Sequence, residues 1–172
     1  FGLCGALARS PLPLVAAITG HSPAGGAVLS IFCDYRVMAR GAYRIGLNEV
    51  QVGLTVPEPI QKALRRLVGV YRAERLMVAG AMIDADQALA CGFVDELADV
   101  DHVVTRSIAW LGELLALPPR AMTETRRLAR ADLITAFDDP ATFDIDSYVD
   151  MWFRDETQQV LRALVAKLKP KG

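Results

Sequence analysis

The sequence predicts an α/β fold built from strand–turn–helix units, and three observations point to it. Residues 14–19 (LVAAIT) form a short apolar run without alternation, which reads as a strand buried on both faces of a parallel sheet. A glycine turn, residues 20–26 (GHSPAGG), follows at once and opens an apolar helical segment over 24–34. Residues 35–39 (YRVMA) and 43–47 (YRIGL) then read as two further strands. Strand–turn–helix order of this kind gives crossover connections and an α/β architecture.

The remaining elements follow in order. Residues 1–8 (FGLCGALA) read as the tail of a helix. In 57–68, Ile60, Leu64 and Leu67 recur at helical spacing with Lys62, Arg65 and Arg66 on the outside, and Pro57 suits the first turn. Residues 71–79 form a second helix of this group. Asp84 caps a third, with Gln87 three residues on in capping-box position, and that helix ends at Gly92. Residues 93–97 (FVDEL) return as a strand. Helices over 101–117, 119–135 and 148–167 complete the chain, punctuated by Pro118, Pro119 and Pro140. A strand buried on both faces needs neighbours, and only thirteen residues precede Leu14. The expectation is therefore that these residues are the later part of a longer chain.

Composition narrows the function. The length, 172 residues, fits one domain, and 52% of the residues are hydrophobic. A net charge of −1 and a pI near 6.2 argue against a nucleic-acid surface. Cys4, Cys33 and Cys91 sit in apolar helical contexts without CxxC spacing and read as reduced core thiols in an intracellular protein. Residues 10–33 carry no charge and are long enough to span a bilayer. Pro11, Pro13, Pro23, Gly20, Gly25 and Gly26 interrupt any helix there, so a buried strand, turn and helix is expected instead of a membrane span. No basic segment with a cleavage site opens the sequence, so no signal peptide is expected.

Two features carry chemistry. The glycine turn presents backbone N–H groups at a helix start, where developing negative charge is stabilised. Glu49 follows a short apolar segment and lies among Ile45, Leu47, Val50, Val52 and Leu54, a setting that would raise its pKa. An oxyanion donor with a carboxylate in apolar surroundings is equipment for moving a proton next to a carbonyl. Other residues read as structural. His21 is expected to make a structural hydrogen bond, and His102 to be solvated at a helix start. Asp138, Asp139, Asp144, Asp146 and Asp150 read as helix caps and solvated surface. No His/Cys spacing suggests a metal, and no GxGxxG or Walker motif is present.

Residues 13–26 (PLVAAITGHSPAGG), followed by 33–39 (CDYRVMA), resemble the central signature of the crotonase superfamily, the enoyl-CoA hydratases and isomerases. Residues 83–97 (IDADQALACGFVDEL) resemble the family's later signature. Within the family, 22–26 (SPAGG), 33–36 (CDYR) and 45–49 (IGLNE) look most like the mitochondrial-type Δ3,Δ2-enoyl-CoA isomerases. The resemblance implies a crotonase-like spiral of strand-strand-helix units. Residues 1–98 would be the later part of the spiral core, with its N-terminal part missing. Residues 99–172 would be a helical oligomerisation region assembling trimers or dimers of trimers.

The resemblance also assigns roles. Hydratases of the family use two glutamates, and the first falls on Val28 here while the second falls on Glu49. Hydration needs a held water and two protonic groups, whereas a 1,3-proton shift can run on one base that takes and returns the proton. The resemblance thus implies an isomerase acting on 3-enoyl-CoA in fatty acid oxidation. Another crotonase reaction, such as hydration or thioester hydrolysis, or a non-catalytic scaffold, stands as the alternative. Glu49 would be the base and the Gly25 N–H one oxyanion donor, the second coming from the family's N-terminal third. Ala24, Val28, Leu54 and Pro57 would contact the acyl-CoA, and no metal or separate cofactor is implied. Lys167, Lys169 and Lys171 could meet CoA phosphates but read as solvated tail. The implied location is the cytoplasm of a bacterium or a mitochondrial matrix.

Overall fold

The computed structural model describes residues 2–138 and 144–168. Asp139, Pro140, Lys169 and Lys171 lie outside the described residues. The strands are β1 (Val15–Ile18), β2 (Ser22–Pro23), β3 (Tyr35–Ala39), β4 (Arg44–Gly46), β5 (Ile83–Asp84) and β6 (Glu96–Ala98). The helices are α1 (Gly2–Arg9), α2 (Gly25–Ile31), α3 (Glu58–Val68), α4 (Val70–Val78), α5 (Ala85–Cys91), α6 (Val103–Leu115), α7 (Pro119–Ala129), α8 (Ala131–Thr135), α9 (Ile145–Trp152) and α10 (Asp155–Leu168).

The strands make two small sheets. One is parallel, in the order β1-β3-β6. The other has the order β2-β4-β5, with β2 parallel and β5 antiparallel to β4. Between sheets and helices lies the core, with Phe32, Phe93, Met38, Ile45 and Leu64 fully buried. On the other face of the parallel sheet, α6 packs Val103 against Val37 and Ala39 and stacks Trp110 on Tyr35 at 4.6 Å.

The two signature segments meet in space. The Arg36 guanidinium pairs with Asp95 at 2.6 Å, and the same carboxylate accepts the Arg36 backbone N–H at 2.9 Å. Asp34 accepts the Leu14 N–H at 2.7 Å, two bonds from Arg126 at 2.9 Å and one from Arg130 at 3.0 Å. One carboxylate thus ties the entry of β1 to α7 and to the residue between α7 and α8.

Several expectations are corrected. β1 is not buried on both faces: it sits at a sheet edge with β3 on one side, and Ala17 is exposed. The helix expected over 24–34 ends at Ile31, which leaves Cys33 outside it. Cys4 is buried, but Cys33 and Cys91 are only half-buried. The single helix expected over 119–135 breaks at Arg130, whose side chain is drawn to Asp34 and to the Phe32 carbonyl at 2.6 Å. The helix expected over 148–167 is two helices, the first starting earlier because the Asp144 carboxylate caps the Asp146 and Ser147 N–H groups. The Asp84–Gln87 capping box forms as expected.

Candidate active site

The glycine turn is positioned by the second sheet. β2 pairs with β4 so that Ser22 faces Ile45 and Pro23 faces Gly46. The Ala24 N–H then donates to the Gly46 carbonyl at 2.9 Å. Ala24 has φ +43° and ψ −113°, and it is the one non-glycine residue with positive φ among the described residues. Such backbone strain costs about 1–3 kcal/mol and collects at functional sites. It turns the chain sharply into α2, which begins at Gly25.

The first amides of a helix have no intrahelical acceptor, so the Gly25 and Gly26 N–H groups are donors at a helix start. The two glycines differ. A Cβ on Gly26 would come within 2.7 Å of the Ser22 hydroxyl, so packing requires that glycine. A Cβ on Gly25 would meet nothing within 4 Å, so packing does not require that glycine.

The same ladder delivers Glu49. From Gly46, opposite Pro23, the chain passes buried Leu47 and enters a 3₁₀ turn, Glu49–Val52. Gly53, with φ +78°, closes the turn, and the Leu54 N–H returns to the Glu49 carbonyl at 3.1 Å. Glu49 is 8% exposed. Its Oε2 is buried with no hydrogen-bond partner among the described residues. Desolvation pushes its pKa above the ordinary carboxylate value, and its own backbone N–H offsets part of that rise. The result is a buried carboxylate without an ion pair among the described residues, carried on the segment that leaves β4, the strand that also anchors the strained glycine turn.

The four residues expected to contact ligand divide. Ala24 is half-buried at the turn. Val28, Leu54 and Pro57 are buried, and Val28 belongs to the main core. Val28, which the resemblance matches to the first hydratase glutamate, is thus packed in the core. His21 has the structural role expected of it: its Nδ1 accepts the Arg44 N–H at 3.1 Å, and its ring meets Tyr43 edge-on. His102 is exposed. Asp138 pairs with Arg9, Asp144 caps α9, and Asp146, Asp150 and Lys167 are exposed.

The C-terminal helices also reach the Glu49 turn, which the sequence reading missed. The Thr157 hydroxyl of α10 donates to the Gly53 carbonyl at 3.2 Å, across 104 residues. The Met151 Sδ of α9 accepts the Thr55 N–H at 3.1 Å. Burial and the nearby Glu49 charge raise the Tyr148 pKa, which places that phenol in the carboxylate's field. These contacts join distant segments, and no local spacing announces them.

The sequence model of the enoyl-CoA hydratase/isomerase family matches residues 2–171, and the chain belongs to that family. It is 30% identical to the mitochondrial enoyl-CoA delta isomerase 1 of Homo sapiens over 95% of this chain and 54% of the relative, and 33% identical to that of Mus musculus. It is 34% identical to the probable enoyl-CoA hydratase EchA17 of Mycobacterium tuberculosis, over 70% of this chain and 46% of the relative. The chain spans about half the length of these relatives. The crystal structure of human mitochondrial Δ3-Δ2-enoyl-CoA isomerase is similar with a TM-score of 0.91 and 31% identity, over 99% of this chain and 67% of that one. The fold is therefore crotonase-like. Among the described residues no helix is long and apolar enough to cross a membrane.

Proposed function

We propose that the protein shifts the double bond of a 3-enoyl-CoA to the 2-trans position by a 1,3-proton transfer, as a step of fatty acid oxidation. One observation carries the reading: among the described residues Glu49 is the one buried carboxylate, while Val28 is packed into the core. The thioester oxygen accepts a hydrogen bond from the Gly25 N–H and, as the resemblance implies, a second from a segment outside this chain. Glu49 removes a C2 proton and becomes a neutral acid. The electron pair moves into a dienolate whose charge rests on the thioester oxygen. Glu49 then returns the proton to C4, so the C3–C4 double bond is lost and the C2–C3 double bond forms. Losing one oxyanion donor costs about 2.7–4 kcal/mol of transition-state stabilisation, so both donors matter. CoA enters as part of the substrate, and the reaction needs no separate cofactor. A homotrimer or hexamer is the proposed assembly: Val104, Ile108 and Leu115 leave an exposed apolar stripe on α6 for a neighbouring copy to cover.

The hydratase names among the relatives make crotonyl-CoA hydration the competing reading. The protein is expected to conjugate 3-hexenoyl-CoA, followed by the absorbance of the product, and to hydrate crotonyl-CoA slowly. Glu49→Gln keeps the shape and removes the base, so isomerisation should fall by about 10²–10⁴-fold with acyl-CoA binding retained. Near-normal turnover in that variant, or rapid hydration by the unaltered protein, would reject the assignment.

A further inference from the structure

We propose that Thr157 is a positioning residue for Glu49, acting through Gly53; this rests on the reading of Glu49 as the base. Glu49 heads a turn of four residues, Glu49–Val52, so its direction depends on what holds the turn. Two anchors do so. On one side the Gln51 amide donates to the Gly80 carbonyl at 2.8 Å. On the other, Thr157 is 1% exposed and its hydroxyl donates to the Gly53 carbonyl at 3.2 Å. The approach is close: a Cβ on Gly53 would stand 2.8 Å from the Thr157 hydroxyl and 3.3 Å from its Cα. Gly53 in turn donates its N–H to the Val50 carbonyl at 3.2 Å, and Leu54 closes on the Glu49 carbonyl at 3.1 Å. A shift at Thr157 therefore moves the residue that closes Glu49's own turn.

The neighbouring helix supports the same docking. Tyr148 and Met151 are half-buried residues about one turn apart on α9, and Met151 meets Thr55. Tyr148 is the titratable group that α9 brings toward Glu49. The C-terminal helices thus hold the turn that carries the base. Releasing Thr157 lets the turn open and admits water to Glu49. A base displaced by about 1 Å loses up to about 10²-fold in rate while substrate binding survives.

Thr157→Val removes the donor and keeps the shape, and Thr157→Ser keeps the donor. Thr157→Val should lower kcat by about 10–10²-fold with KM unchanged within about twofold. A carboxyl ¹³C NMR titration should show its Glu49 pKa falling toward the ordinary carboxylate range, and Thr157→Ser should match the unaltered protein in both. If Thr157→Val does not fold, Thr157→Ala replaces it under the same criteria. Unchanged kcat and titration in the hydroxyl-free variant would overturn the proposal, as would an equal defect in Thr157→Ser. If the unaltered protein proves inactive on enoyl-CoA, the functional reading fails, and the Glu49 titration alone decides the role of Thr157.

Discussion

At the scale of single residues, Glu49 is held where its charge is costly. Folding raises its pKa, chiefly by desolvation, so the folded state keeps the proton at pH values where the unfolded chain has released it. Between the unfolded value, about 4.3, and the raised folded value, the unfolded state binds fewer protons, and stability falls as pH rises through that window. Below the window both states are protonated and the full stability is present. Glutamine carries no charge at any pH. Glu49→Gln should therefore melt with the unaltered protein at about pH 4 and above it at about pH 8. Thermal melts across that range read the difference, and an offset that does not change with pH would remove the argument. The same desolvation displaces the acid limb of kcat upward, because only the ionised form takes the C2 proton. Ala24 bears a second local cost, its φ of +43°, in setting the turn that opens at Gly25.

At the scale of elements, Asp34 is the joint between the sheet and the C-terminal helices. It is 15% exposed and binds Arg126 and Arg130, each 10% exposed, together with the Leu14 N–H. Asp34→Asn strips the counter-charge from the buried Arg130 and the partly buried Arg126 and should cost about 3–5 kcal/mol in urea unfolding. Arg130→Met leaves Asp34 paired with Arg126 and should cost less. Its guanidinium is already disfavoured by desolvation, which holds its pKa below the ordinary value. A loss under about 1 kcal/mol for Asp34→Asn would show that the pairs are not the joint. The segments that carry the family resemblance, 33–39 and 83–97, thus serve the fold: Arg36 and Asp95 lock β3 to β6. Local chemistry made much of this legible, including the Asp84–Gln87 capping box, the α3 stripe, the glycine turn and the carboxylate after β4. Features set by long-range partners were not legible. The two-residue strands β2 and β5 exist only through β4, the break at Arg130 only through Asp34, and the Thr157 anchor only through Gly53.

At the scale of the whole molecule, the parallel sheet presents an open edge. Among the described residues β1 pairs with β3 alone, and Ala17, opposite Val37 in the register, is exposed. An edge strand with a free row of N–H and C=O groups and small apolar side chains is a template for pairing with another chain. The sequence predicts neighbours on both sides of this strand, and among the described residues one side is unpaired. Residues 1–172 produced alone should therefore self-associate as concentration rises. Ala17→Lys places a charge at that edge without entering the core, so it should lower the weight-average mass in sedimentation equilibrium and leave the melting temperature nearly unchanged. Equal association with and without the lysine would show that the edge is not the contact, and would shift attention to the apolar stripe of Val104, Ile108 and Leu115 on α6. A monomer at every concentration would mean that four strand residues at an edge are too few to pair.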